Sequence, residues 1–163
     1  MRAPVEVRLE RFQKLIDRVS YESEKGDIII VEGHRDRDSL RKFGIKGPIL
    51  CLQSSRKNAV GFVEELDGER GVIVLTDFDR EGVFLAKRLA RILNSQKIHA
   101  NLVLWRELRG LTRSDVRSIE ELPKFYQRLQ TKSRFRAPLA YHGYGAMFVT
   151  KPKRERSKFQ SKL

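Results

Sequence analysis

The sequence predicts an α/β domain, with a parallel sheet of about four strands and helices on both faces. Three observations carry this expectation. Short runs of branched apolar residues, Ile28-Ile29-Ile30-Val31 foremost, contain no polar interruption, as in strands covered on both sides. Segments of helical length with apolar residues at three- and four-residue steps separate these runs. A chain of 163 residues, 40% of them hydrophobic, is long enough to bury one core. Strands that alternate with helices imply right-handed crossovers and a parallel sheet.

Residues 5–24 open the chain as an amphipathic helix, with Val5, Leu9, Phe12, Leu15, Ile16 and Val19 on one side and Gly26 as its stop. The first strand runs from Asp27 to Glu32, and a helix from Asp36 to Phe43 ends near Gly44. Pro48 to Leu52 is the second strand, after which Ser54 or Ser55 caps a helix reaching Leu66. Asp67-Gly68 makes a turn into the third strand, Gly71 to Thr76. A helix over Arg80–Asn94 places Leu85, Leu89, Ile92 and Leu93 on one face and Lys87, Arg88 and Arg91 on the other. Ile98 to Trp105 is the fourth strand, with Trp105 in the core or at its rim. The last helix, Ser118 to Gln130, opens with a Ser118-x-x-Glu121 capping box and carries Pro123 in its first turn. The expected organisation is one α/β domain over residues 1–131 and a basic extension over 132–163.

Charge restricts the partners. Lys and Arg number 34 against 21 Asp and Glu, a formal net charge of +13. Residues 132–163 hold nine basic residues against Glu155 alone, a net +8 that leaves +5 for residues 1–131. Of the basic residues 21 are Arg, whose planar fork suits phosphate oxygens. Such a field favours phosphate-rich partners, RNA or DNA. No apolar run approaches the ~18–20 residues of a membrane span, and the N-terminal residues lack a secretory apolar segment. A single cysteine, Cys51, builds no disulfide framework, so a cytoplasmic setting is expected. No Cys/His cluster offers a zinc site. Oligomeric state is open, a homodimer or a protein partner included.

In parallel sheets ligands bind beyond the carboxyl ends of the strands, near the point where strand order reverses. At those ends stand Glu32-Gly33-His34, Gln53-Ser54-Ser55, Asp77-Phe78-Asp79-Arg80-Glu81-Gly82 and Arg106-Glu107. If the first and third strands are neighbours, Glu32, Asp77, Asp79 and Glu81 share one site. Packed carboxylates repel and raise one another's pKa, and a hard divalent cation relieves the conflict. Each acid also has a plain structural role open to it. Asp79 suits the cap of the helix that begins at Arg80, Asp36 the cap of its own helix, and Glu32 an ion pair with a nearby Arg.

Two segments resemble the motifs of the Toprim domain. Ile29-Ile30-Val31-Glu32-Gly33-His34-Arg35-Asp36 is similar to the first, a hydrophobic strand ending in Glu-Gly with Asp three residues after the Gly. Gly71 to Gly82, with Asp77-Phe78-Asp79-Arg80-Glu81-Gly82, is similar to the second, a D-x-D that continues into a third acid and a Gly. Glu32 and Asp77 lie 45 residues apart, and the resemblance covers about residues 25–105. Toprim domains occur in topoisomerases, DnaG-type primases, OLD-family nucleases, RecR-type recombination proteins and 5S ribosomal RNA maturation ribonucleases. Among these the small stand-alone proteins and the ribonucleases are most similar in size.

The resemblance implies a Rossmann-like Toprim fold. It further implies Glu32 as general acid or base in strand cleavage or nucleotidyl transfer, and Asp77 and Asp79, with Glu81 as a third acid, as holders of Mg²⁺, for which Mn²⁺ substitutes. Gly33 is expected to let the backbone turn sharply where phosphate approaches. Arg35 and Arg80 are expected to stabilise transferred charge, and His34 is read as a surface residue. The chain departs from the larger families in having no recognisable tyrosine cleavage module and no zinc domain. In the extension, Lys132, Arg134, Arg136, Lys151, Lys153, Arg154 and Arg156 are interleaved with Phe135, Tyr141 and Tyr144, as suits phosphate contact and base stacking. About half of those aromatics are expected to pack back as core. The expected activity is a Mg²⁺-dependent nuclease, structured RNA ahead of DNA. The competing readings are a non-catalytic nucleic-acid-binding module within a repair or RNA-processing assembly, and a primase-like transferase.

Overall fold

The computed structural model describes residues 3–55, 58–66, 71–112 and 114–136. Helix α1 (Val5–Glu24) leads into strand β1 (Ile28–Val31), followed by α2 (His34–Lys42) and β2 (Ile49–Cys51). Next come α3 (Ala59–Val63), β3 (Val72–Val74), α4 (Arg80–Ser95) and β4 (Ala100–Asn101). Helices α5 (Val103–Thr112) and α6 (Leu122–Arg136) close the described chain.

The four strands form one parallel sheet in the order β2-β1-β3-β4. Every residue of β1 and β3 is buried, which accounts for their unbroken apolar sequence. From β1 the chain steps one way to β2, then crosses back over β1 to β3, so strand order reverses between β1 and β3. Right-handed crossovers in opposite directions place α2 on one face and α3 and α4 on the other. Helix α1 packs against α5 and against α6, and α6 also meets α2. An aromatic cluster joins α1, α6 and the end of α2: Phe12 of α1 lies 5.6 Å from Phe43, 5.5 Å from Phe125 and 5.4 Å from Tyr126, ring centre to ring centre.

Several sequence expectations need correction. The strand expected over Ile98–Trp105 is only Ala100–Asn101, and Arg106-Glu107 belongs to a helix rather than a strand end. The Asn101 side chain accepts the Val103 N–H at 3.0 Å and starts α5 at once. Leu104 and Leu108 then fall on one buried helical face, with Trp105 beside them. The Ser118-Glu121 capping box does not form. The Ser118 hydroxyl is buried with no partner among the described residues, while Glu121 accepts the Arg117 N–H at 3.1 Å. Residues Ile119–Glu121 make a 3-10 turn, and α6 continues through Arg136, well past the expected end at Gln130. Lys132 and Arg134, the first basic residues of the expected extension, are therefore exposed residues of α6. The helix expected from Ser54 or Ser55 is instead capped by Asn58, whose side chain accepts the Gly61 N–H, and it ends at Val63.

Candidate functional site

Because β1 and β3 pair directly, with Ile30 opposite Val74, the peptides that follow them emerge side by side. Glu32 leaves β1 and turns its Oε1 to the Asp77 backbone N–H, 2.9 Å away, bridging the ends of the two strands. Its own carbonyl accepts the Gln53 N–H at 3.0 Å, which ties the site to the end of β2. Asp77 accepts the Ile119 N–H on Oδ1 at 2.9 Å, so the 3-10 turn before α6 fastens the third-strand loop. Asp79 caps α4 through Oδ1 and the Gly82 N–H at 2.8 Å. Asp36 receives the Gly33 N–H at 2.9 Å and is buried, which makes it the structural cap of α2.

These groups share an electrostatic problem. Burial pushes the Asp77 carboxyl up to about 7, aided by the negative charges of Asp36, Glu32 and Asp79 and opposed by the Ile119 N–H. Burial likewise raises Glu32, with the charges of Asp36, Asp79 and Glu81 adding to it against the Asp77 N–H. Among the described residues no Lys, Arg or His nitrogen stands within 4.0 Å of the carboxylates of Glu32, Asp77, Asp79 or Glu81. The Arg pairing open to Glu32 is therefore not made. Glu32 and Asp77 are half-buried, whereas Asp79 and Glu81 are exposed at the mouth.

Hard oxygen donors left in mutual repulsion, with one oxygen each of Glu32, Asp77 and Asp79 free of any donor among the described residues, suit a hard divalent cation. Among the described residues no three His, Cys, Asp or Glu side chains form a ready-made metal cage. That is compatible with Mg²⁺ chemistry, in which one or two carboxylates share the ion with water and substrate phosphate.

The other predicted residues divide. Arg35 is 88% exposed and reaches Glu120 at 3.9 Å, leaving it beside the 3-10 turn. Arg80 is exposed in the first turn of α4. His34 is exposed, with Nε2 3.0 Å from the Ser54 hydroxyl across the mouth. Lys132 and Arg134 sit ten or more residues into α6, about 15 Å along the helix from its site end. Arg136 ends α6, and Lys151, Lys153, Arg154 and Arg156 lie outside the described residues, as do Tyr141 and Tyr144. Gly33 lies in the bend between β1 and α2, as expected, but with an ordinary extended φ of −137°; what sets it apart is the Gln53 side chain, which occupies the space a Cβ would need.

Supporting residues that the sequence left unassigned complete the loop. A Cβ on Gly82 would fall 2.1 Å from the Asp77 carbonyl oxygen, so only glycine allows α4 to start against the loop. Buried Thr76 donates to the Gly82 carbonyl at 2.8 Å. From α5, Trp105 donates Nε1 to the Thr76 carbonyl at 2.9 Å and Arg109 donates Nε to Phe78 at 3.3 Å. The one legible signal was the spacing of Gly82, three residues after Asp79.

Fold and site together define an open parallel α/β domain with a carboxylate-lined mouth at its switch point. The chain belongs to the UPF0292 family. It is 35% identical over 124 residues to a UPF0292 protein of Thermococcus kodakarensis, covering 76% of this chain and 90% of that one. A Pyrococcus furiosus UPF0292 protein is 39% identical over 129 residues, covering 79% and 92%, and one from Methanosarcina acetivorans is 35% identical over 127 residues, covering 77% and 87%. A solved structure of a protein from Aquifex aeolicus shares the fold at a TM-score of 0.54 and 28% identity, covering 66% of this chain and 94% of that one. No family model matches the chain. Among the described residues no helix is long and apolar enough to cross a membrane.

Proposed function

We propose that this chain is a Toprim-type, Mg²⁺-dependent enzyme that cleaves phosphodiester bonds in nucleic acid, structured RNA ahead of DNA, in a cytoplasmic setting. The observation that carries the reading is the meeting of Glu32 with Asp77, Asp79 and Glu81 at adjacent strand ends, with no ion-paired cation among the described residues to neutralise them. Asp77 and Asp79 would hold the cation through oxygens that their backbone donors leave free, with Glu81 adding negative charge at the mouth. When bound, Mg²⁺ or Mn²⁺ offsets the charge that builds on the phosphate oxygens. Glu32, anchored through Oε1, moves a proton to or from the attacking or leaving oxygen with Oε2. Arg80, in the first turn of α4 beside the mouth, and Arg35, beside the 3-10 turn that anchors Asp77, would contact phosphate. The basic residues from Lys132 onward add attraction that weakens with salt.

Labelled structured RNAs, single strands and duplex DNA incubated with Mg²⁺ or Mn²⁺ test the reading. Cleavage that EDTA stops, and that Glu32→Gln and Asp77→Ala each reduce by at least 100-fold, roughly the size of general acid–base contributions, supports it. Cleavage undiminished in both variants overturns it. A second reading, a non-catalytic nucleic-acid-binding module, draws on the backbone donor that occupies one oxygen of each of these three carboxylates. It predicts binding without turnover in the same assay.

A further inference from the structure

Helix α4 begins at the acid site and carries an outward stripe of unusual make-up. At 100° per residue, Arg80, Phe84, Lys87 and Arg91 fall within about 60° of one another, and Arg88 borders them. All five are exposed, while Gly82, Ala86, Leu89 and Leu93 on the opposite side enter the core. Phe84 is 68% exposed, more than any other large hydrophobic residue among those described. A single exposed apolar residue is ordinary on a protein surface. Its surroundings set this one apart.

The four cations around it have no ion-pair partner among the described residues. Three of the four basic residues of α1 contrast with them: Arg8 pairs with Asp115, Lys14 with Glu10 and Arg18 with Glu107, so the charge of that helix is largely neutralised. The field of α4 therefore remains available to an outside anion. Asp79 caps this helix and Arg80 follows it, so the stripe starts at the carboxylate mouth and runs about 16 Å away from it.

We infer that this stripe is a track for a single-stranded nucleic-acid segment, on which Phe84 stacks an unpaired base and Arg80, Lys87, Arg88 and Arg91 contact the flanking phosphates. The inference rests on the nucleic-acid reading above and adds the path by which a strand reaches the site. Aromatic rings spaced among cations bind single strands because every base has a π-face and every linkage a charge. A duplex offers no free base face to Phe84. A second copy of the chain would set this row of cations against its own equivalent, which opposes self-association through the same face.

The test uses the full chain, with fluorescence anisotropy of labelled oligouridylate and oligothymidylate at several salt concentrations. Phe84→Ala is expected to weaken binding by about 5- to 150-fold, from about 1–3 kcal/mol per stacked base at 1.4 kcal/mol per decade. Phe84→Trp is expected to retain affinity and Phe84→Leu to lose it as the alanine variant does. Replacing Lys87, Arg88 and Arg91 together by Ala is expected to lower the salt slope by about 2, at ~0.7 per phosphate contact. Binding unchanged in Phe84→Ala, or retained in Phe84→Leu, overturns the track and leaves the nucleic-acid reading standing. Failure of the wild-type chain to bind either unstructured oligonucleotide overturns the track alone, because the cleavage assay on structured RNA and duplex DNA tests the nucleic-acid reading separately. A change of sedimentation from dimer to monomer in Phe84→Ala would make the stripe a protein interface and overturn the track.

Discussion

Replacing Asp77 by Asn is expected to stabilise the metal-free protein above neutral pH, although the residue is central to the site. Asn keeps an oxygen that accepts the Ile119 N–H and removes the charge that burial disfavours. In the folded state the Asp77 carboxyl titrates near 7, against an ordinary 3.8. Because this folded value is raised, the folded state binds more protons than the unfolded chain between these two values. The Asp77 contribution to stability is therefore full below about pH 4 and lost as pH rises towards 7. A rise of about three units, at 1.36 kcal/mol each, sets an upper bound of ~4 kcal/mol, which water at the half-buried mouth reduces to about 1–2 kcal/mol. At pH 8 in EDTA, Asp77→Asn should melt about 3–6 °C above the wild type. Near pH 4, where Asp77 is protonated in the folded protein, the difference should vanish. Thermal melts followed by circular dichroism across pH 4–8 measure both ends. An Asn variant less stable than the wild type at pH 8 would refute the claim that this carboxylate is held at an energetic cost.

Other substitutions test the scaffold. Gly82→Ala should cost about 3 kcal/mol or more in urea unfolding, because the new methyl meets the Asp77 carbonyl and a backbone group cannot give way cheaply. Gly110→Ala, on an exposed turn of α5 with nothing within 4 Å of the added methyl, should instead stabilise by about 0.5–1 kcal/mol in the same measurement. Trp105→Phe removes the donor to the buried Thr76 carbonyl and should cost about 1–3 kcal/mol in that measurement. It should also speed hydrogen exchange in the loop after β3 if that bond holds the loop in place.

Much of this architecture was legible because its central strands are hydrophobic on both faces. Ile28–Val31 and Val72–Val74 are continuous branched runs, and burial on both sides leaves no other composition open to them. The acids were legible as a pair of motifs, and their convergence awaited only the adjacency of β1 and β3. What stayed hidden depended on contacts distant in sequence. Val103 and Trp105 carry strand-favouring side chains, yet the Asn101 cap and packing against the core draw them into α5. The Asp77 anchor at Ile119 spans 42 residues, and no local pattern announces it. Ser118 and Glu121 matched a capping box in spacing, but the chain there winds into a 3-10 turn and sends Glu121 to Arg117. The end of α6 was hidden because Thr131 to Arg136 are too polar for a clear apolar stripe, and helical hydrogen bonding continues without one.

The most direct test of the central claim, that Glu32, Asp77 and Asp79 form a divalent-cation site for phosphate chemistry, is anomalous diffraction from crystals soaked in Mn²⁺ with a 5′-mononucleotide. The account predicts a Mn²⁺ peak at the mouth between the ends of β1 and β3, within reach of Asp77 and Asp79 and of the nucleotide phosphate. The same soak of Asp77→Asn crystals should lose it. Nucleotide bound at the mouth with no Mn²⁺ beside it, or Mn²⁺ held only elsewhere on the chain, would contradict the account.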